Sequence, residues 1–349
     1  MAGNSNFDAL LSTTLKNYTP RIEDNIFSNL TLLYWLKEAG HIEKVSGGEQ
    51  IVEPLMYAAN GTTGSYGGYD NIPTTPQEGI TSAVYDWKQY AVSIAISGIE
   101  EAKNRGESQV ISLLKAKIDQ AEMSLQDAMN TMLYGDGTGN SSKDWLGLKN
   151  FVGLIGDAAD SYAGATNNTV GGITTNTTDN AWWRNRSVSA APDQTVPFDA
   201  TDDKTLLGSM SRIYNLCTKG KIKPEFVLTS QAVWERYESA LQPQLRYQST
   251  KSADAGFENL LYKSAPVMWD EDIAGNATLN ATNTASGNVA YFLNSKFLKL
   301  KVHSDVWMKA TPMEKPHGQD ARYSQILSYG NLTCNNRRFQ GLLYGIDVA

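Results

Sequence analysis

Between Glu107 and Tyr134 the chain contains no Gly or Pro, and from Val110 apolar residues recur at Leu114, Ile118, Ala121, Leu125, Ala128, Met129 and Met132. Spacings of three and four predict one helix with a single buried stripe. Lys115, Asp119, Glu122, Gln126 and Asn130 fall on the opposite side, a face for water or for a polar partner. Gly106 precedes the helix, and Gly135 follows it where a left-handed cap is expected. At 1.5 Å per residue the rod is roughly 40 Å long. It stands in a chain that otherwise reads as strands and loops. Such an element is either one long core helix of an α+β domain or a spine along which a sheet and several subunits are arranged.

The segments before the spine read as an arm, a helix and a ribbon. Residues 1–23 are polar with scattered apolar positions, an extended arm with little core of its own. Asp24 is placed to cap a helix ending at Ala39, with Gly40 as its stop. Its apolar side is wide, from Ile26 and Phe27 through Leu36. Gln50 to Tyr57 and Tyr85 to Ile96 are strand candidates, the second with Tyr90, Val92, Ile94 and Ile96 on one face. About 25 residues rich in Gly, Thr, Pro and Tyr lie between them, too long for a loop inside a compact body. This fits a hairpin that reaches away and is ordered by neighbours. A short helix over Ser97 to Arg105 leads into the spine.

Beyond the spine, Gly135, Gly137 and Gly139 turn the chain, and Trp145, Leu146, Leu148, Phe151 and Val152 follow. Residues 156–180 read as a surface loop and AWWRNRSVSA as a short strand. From Thr205 an α/β lobe is expected. It has a helix to Thr218, strand EFVLT, a helix capped by Ser230 and stopped by Pro243, and strands at Ala265–Trp269, Val289–Leu293 and Phe297–His303. Tyr323–Cys334 and Arg337–Ile346 read as a final strand pair joined at Asn335-Asn336, the natural sheet for the spine to pack on.

No constellation for catalysis emerges. His41, His303 and His317 lie in three separate segments without ligand spacing. The Gly135-x-Gly137-x-Gly139 string follows a helix where a phosphate loop would precede one. Asp270, Glu271 and Asp272, a carboxylate cluster after a strand, read as a solvated turn, with cation binding as the alternative. Trp182, Trp183, Arg184 and Arg186 interleave aromatic and basic groups, as single-strand stacking platforms do, and as a subunit contact with Arg over Trp also does. Charged residues are 19% of the chain and the net charge is −7, with no long basic run, so tight nucleic-acid binding is not signalled. Cys217 and Cys334 read as two buried thiols of a reduced compartment. The start carries no secretory pattern, so triplets such as those at Asn176 and Asn280 reflect composition. No apolar run is long enough to span a membrane. No residue is assigned a catalytic, cofactor-binding or metal-ligating role, and no cofactor is expected.

The order of elements carries a resemblance. A polar arm, a helix, a long hairpin loop, the spine, a WLGLKNF turn and a W-W-R-N strand come first. A lobe with FVLTSQAVWERYESAL and FENLLYKSAPVMWDEDI follows, and two terminal strands close the chain. This resembles a major capsid protein of a tailed bacteriophage with the Hong Kong 97-type α+β fold. The resemblance implies an N-terminal arm at 1–46 and an extended β-hairpin loop at 47–97. It implies a peripheral domain at 98–190 and 311–349 with the spine helix at 107–134, a connector at 191–204 and an axial α/β domain at 205–310. It implies no enzyme, but a subunit that assembles with copies of itself as hexamers and pentamers into an icosahedral shell around double-stranded DNA. Assembly is expected in the host cytoplasm and the product in the virion. A separate scaffolding protein, a portal and a decoration protein are the implied partners, with DNA touched only weakly and no membrane. One branch of the family carries a coiled-coil segment of about a hundred residues before the arm, which the start at Met1 does not lead us to expect here. The alternatives are an encapsulin-type compartment shell and a carbohydrate-binding adhesive protein with exposed Trp and Tyr. Some relatives join subunits through a Lys of the extended loop. Between Val45 and Trp87 this chain has no Lys; Lys44 and Lys88 stand at the base, and the loop offers Glu53, Asp70, Glu78, Tyr57, Tyr66 and Tyr69. A shell held without covalent links is the expectation.

Overall fold

The spine is present as a helix in a computed structural model of the chain. The structure describes residues 31–103, 113–153, 169–175, 178–189, 203–241, 260–275 and 288–346. The expected arm over 1–23, the Asp24 cap, Gly106, spine residues 107–112, most of the 191–204 connector, Pro243, Asn176 and Asn280 lie outside them. In chain order the helices are α1 (Thr31–Glu38), α2 (Gly98–Lys103), α3 (Leu113–Tyr134), α4 (Asp203–Cys217) and α5 (Gln231–Leu241). The strands are β1 (Ile42–Val45), β2 (Ile51–Met56), β3 (Ile80–Tyr85), β4 (Lys88–Ser97), β5 (Thr169–Val170), β6 (Ile173–Thr174), β7 (Arg186–Ser189), β8 (Phe226–Thr229), β9 (Leu260–Tyr262), β10 (Ala265–Trp269), β11 (Ala290–Leu293), β12 (Leu298–His303), β13 (Lys309–Ala310), β14 (Ala321–Cys334) and β15 (Gly341–Tyr344). Two compact units result. One comprises Met1–Glu49, Trp87–Leu148 and Lys299–Leu332; the other comprises Gln50–Asp86, Lys149–Leu298 and Thr333–Ala349.

The first unit is built on a sheet in the order β1-β12-β14-β13, with β4 also paired to β14. β4 runs antiparallel to β14 from Ser97 opposite Ala321 to Lys88 opposite Gly330. Its alternation is as read, with Ile94 and Ile96 buried and Ala91, Ser93 and Ala95 exposed. α3 packs against β4 through Ile118, Ala121, Leu125, Met129 and Leu133, all buried. Met132, expected in this stripe, is only half-buried and Leu133 takes its place, because the contact advances by four residues from Ala121 onward. β12 also alternates as read: Leu298, Leu300 and Val302 are buried, while Lys299 and Lys301 reach Glu43 of β1 at 2.6 and 3.8 Å.

Two pairings differ from expectation. The run from Tyr85 to Ile96 is broken at Asp86–Trp87. The partner of β2 is β3, and the remainder of the run, β4, belongs to the sheet with β14. The expected terminal pair also separates, since β14 and β15 lie in different sheets. Period two fixes which residues share a face and leaves open which strand lies alongside.

The spine's end is set by close contact. Gly135 donates to the Met132 carbonyl at 3.0 Å, and the left-handed position falls at Gly137, with φ 78°, rather than at Gly135. Gly147 explains the WLGL turn. A Cβ there would lie 2.4, 2.5 and 2.6 Å from the carbonyl oxygens of Met132, Gly135 and Leu133. Next to it the fully buried Trp145 stacks on Trp307 at 6.0 Å, and the Leu146 N–H donates to Asn331 Oδ1 at 3.0 Å.

The second unit holds a mixed sheet in the order β7-β15-β11-β8-β10-β9. α4 packs on β15 and β7, and α5 on β10. The stripe Leu206, Met210, Ile213, Tyr214 and Cys217 of α4 meets Val227, Val267, Phe292 and Leu343 in one core. The Ser230 carbonyl accepts from Trp234 N–H at 3.1 Å, so α5 starts where expected. The Ser230 hydroxyl has no partner among the described residues, so the expected side-chain cap does not form. The expected W-W-R-N strand starts late: Trp182 and Trp183 end a 3₁₀ turn, Thr178–Trp183, and pairing with β15 begins at Arg186.

Two substitutions test this packing by urea unfolding of the purified chain. Leu125→Asp places an unpaired carboxylate under β4 and is expected to cost about 4 kcal/mol. Gly147→Ala is expected to cost about 2 kcal/mol by overpacking the spine's last carbonyls. Wild-type midpoints for both would rule out the spine contact.

Candidate functional site

β2 and β3 form an antiparallel ribbon from Ile51 opposite Tyr85 to Met56 opposite Ile80. The pleat sends Ile51, Glu53, Leu55, Ala83 and Tyr85 inward, and all five are buried. The other face carries Val52, Met56 and Ile80, which are 51%, 81% and 76% exposed. The loop beyond adds exposed Tyr66, Tyr69 and Ile72. An isolated two-stranded ribbon is marginal in water, and apolar side chains gathered on one exposed surface mark an interaction site.

The ribbon is held at its root. Tyr85 Oη donates to the Cys334 carbonyl at 2.8 Å, and Thr333 Oγ1 donates to the buried Glu53 Oε1 at 2.9 Å. Val84 N–H donates to the Gly171 carbonyl at 3.0 Å. Gly171 sits in the tight β5–β6 hairpin, at φ 60°. A Cβ there would lie 2.7 Å from Ala83 Cβ. Residues 169–175 are therefore structured, where a surface loop was expected. Tyr57 stacks on Trp182 at 5.3 Å, and Tyr85 meets the edge of Phe151 at 5.9 Å.

Behind this root lies a buried guanidinium. Arg337 is 1% exposed. Its Nε donates to the Phe151 carbonyl at 2.8 Å, and its two terminal nitrogens to the Trp183 carbonyl and Asn185 Oδ1, each at 3.2 Å. A charge removed from water requires such partners. The WWRN segment takes part in the same network. Trp183 Nε1 donates to the Val170 carbonyl at 3.0 Å, and Arg184 Nε to the Thr175 carbonyl at 3.0 Å. With Trp183 and Arg184 buried, the segment is not the stacking platform its composition allowed. Nothing in the sequence distinguished Arg337 from any other Arg near a turn.

Two of the other singled-out residues make local hydrogen bonds. Asp270 Oδ1 accepts from Asp272 N–H at 3.1 Å at the start of the short helix Glu271–Gly275, and Asp270 is buried where a solvated turn was expected. His303 Nδ1 accepts from Asp305 N–H at 3.2 Å. Among the described residues no group of three or more His, Cys, Asp or Glu is placed to hold a metal, and no helix is long and apolar enough to cross a membrane. Cys217 and Cys334 are both buried, and burial pushes each thiol from 9.0 up to about 12. Folding raises these values, so their contribution to stability is complete below 9 and is lost as pH climbs toward 12. In the folded chain at pH 8 neither thiol is expected to react with a disulfide reagent within hours, and both react at once in guanidinium. Rapid reaction of either one in the folded chain would refute the burial.

No family model and no curated protein matches the sequence. Solved structures do. The capsid asymmetric unit of cyanophage A-1(L) is 15% identical, covers 88% of this chain and 92% of that one, and superposes with a TM-score of 0.55. The capsid of Myoviridae phage XM1 is 10% identical over 88% and 91%, with a TM-score of 0.54. The holo-SrpI encapsulin complex from Synechococcus elongatus is 9% identical over 98% and 94%, with a TM-score of 0.51. At such identities the likeness is one of architecture: this mixed helix-and-sheet chain has the fold of a phage major capsid protein, which it shares with an encapsulin.

Proposed function

We propose that the protein is the major capsid protein of a tailed bacteriophage, one of many identical subunits of an icosahedral shell around double-stranded DNA. The observation that carries this is the pairing of a capsid-subunit fold over 88% of the chain with a ribbon whose apolar face its own unit leaves uncovered. A shell subunit needs arms that lie on neighbours and broad self-complementary surfaces, and it needs no reaction centre. In this reading the Hong Kong 97 plan applies, with arm 1–46, extended loop 47–97 and connector 191–204. The expected peripheral bounds (98–190 and 311–349) and axial bounds (205–310) divide the six-stranded sheet between β15 and β11, so the axial domain takes in β7 and β15 as well. The subunits form hexamers and pentamers, and the shell is completed by a scaffolding protein, a portal and a decoration protein. It is built in the host cytoplasm and persists as the virion capsid. A net charge of −7 per subunit keeps contact with DNA weak.

The encapsulin reading has its own support in the 98% coverage against the SrpI shell. Of the aromatic residues behind the adhesive reading, Trp145, Trp183, Trp234 and Trp307 are buried, while Tyr66, Tyr69 and Trp269 are exposed.

Expression of the full chain followed by negative-stain microscopy tests the proposal. Closed shells or rings of five and six are expected, with nucleic acid rather than enzyme cargo in particles from infected cells. A chain that stays monomeric at high concentration would overturn both shell readings. Boiling particles in detergent with reductant is expected to leave one band at the 38.2 kDa chain mass. The ribbon and its loop hold no Lys to form a cross-link. A ladder of multiples would contradict this and implicate Lys44 or Lys88.

A further inference from the structure

The second unit separates its charges. From Gln50 to Asp86 the ribbon and its loop carry Glu53, Asp70, Glu78 and Asp86 and no Lys, Arg or His. Glu53 is buried at the root, whereas Asp70 and Glu78 are exposed on the loop beside the apolar Tyr66, Tyr69 and Ile72. Elsewhere in the same unit two turns hold only cations. Lys219, Lys221 and Lys223 follow α4 in a tight turn closed by hydrogen bonds between Lys219 and Ile222 at 2.9 and 3.1 Å. Lys263 sits in the β9–β10 turn with φ 55°.

Neutral groups tie these turns together. Lys223 Nζ donates to Ser264 Oγ at 2.6 Å. Lys263 Nζ reaches Asn215 Oδ1 at 3.2 Å and Ser211 Oγ at 3.3 Å, and lies 4.7 Å above the Tyr214 ring. All four Lys are exposed, and none of them makes an ion pair among the described residues, where the pairs found involve other lysines. Leu216, 42% exposed, stands at the same end of α4. Four like charges on two linked turns repel one another until an anion arrives, and an exposed Leu beside them suits a partner that brings both carboxylates and apolar groups.

We infer that the Lys219–Lys223 and Lys263 turns of one copy receive the acidic, aromatic loop at Asp70–Glu78 of a second copy. The inference rests on the shell reading and adds the pairing within it. Such a contact is heterologous, a patch on one copy meeting a different patch on the next, the geometry that closes into rings. DNA is the less suited occupant. The patch has no Arg fork for phosphate, and the rest of the chain is acidic. The contact selects register and speeds docking more than it adds affinity, and it weakens with salt.

Equal amounts of isotopically light and heavy full-length chain are mixed and treated with a water-soluble carbodiimide, which joins carboxylates to amines in contact. Light–heavy peptides linking Glu78 or Asp70 to Lys219, Lys221, Lys223 or Lys263 are expected. Lys219→Glu with Lys221→Glu should lower assembled yield about ten-fold, and adding Asp70→Lys and Glu78→Lys should restore it to within about two-fold. Circular dichroism melting of each variant shows whether it is folded. Shells that form without these links, or folded charge-reversed variants that assemble like wild type, overturn the inference and leave the shell reading standing. Open oligomers that carry the links overturn the shell reading alone. A chain that stays monomeric overturns both. Binding of a 30-base-pair duplex that is lost with Lys219→Glu and Lys221→Glu, with no such links, assigns the patch to DNA and overturns the inference.

Discussion

A two-stranded ribbon is marginal by itself in water, and the root of the β2–β3 ribbon is bonded from several directions. Tyr85 reaches the Cys334 carbonyl, Thr333 reaches Glu53, and the Gly171 carbonyl receives Val84. Each bond joins segments far apart in the chain. Arg337 stands behind them, spreading its donors over Phe151, Trp183 and Asn185. Losing a partner weakens the pairing of a buried polar group, which costs more than the same loss at an exposed site. The root is thus bonded to several distant segments, and the apolar face lies beyond it.

That division suits the proposed role. A bonded base anchors an arm, and an uncovered apolar face gains stability by burial against another molecule. In the proposed shell such contacts can each be weak and still hold, because a subunit with several neighbours must release all its contacts together. The lack of an amine in the loop fits a shell that depends on such summation.

The candidate surface was partly legible in the residues. The Gly, Thr, Pro and Tyr composition of 58–79 marked a segment too long to sit inside a compact body, and Tyr66 and Tyr69 are indeed exposed. The root was not legible. Glu53 looks like any strand carboxylate until Thr333 is beside it, and Arg337 like any turn cation until three acceptors surround it. The WWRN segment even pointed elsewhere, because an aromatic–basic run has the same composition whether its side chains face solvent or a buried network.

What the sequence determined by itself is what depends on near neighbours. The spine's stripe at Ile118, Ala121, Leu125 and Met129, the alternation of Ile94 and Ile96 with Ala95, and Leu298, Leu300 and Val302 against Lys299 and Lys301 all follow from the helical and strand periods. Tertiary structure decided the pairings. It broke Tyr85–Ile96 into β3 and β4, sent β14 and β15 to different sheets, moved the left-handed glycine from 135 to 137, and brought Thr333 to Glu53. A strand's period is satisfied by any neighbour with a matching face, so the choice among neighbours is made only when the whole chain competes for the same core.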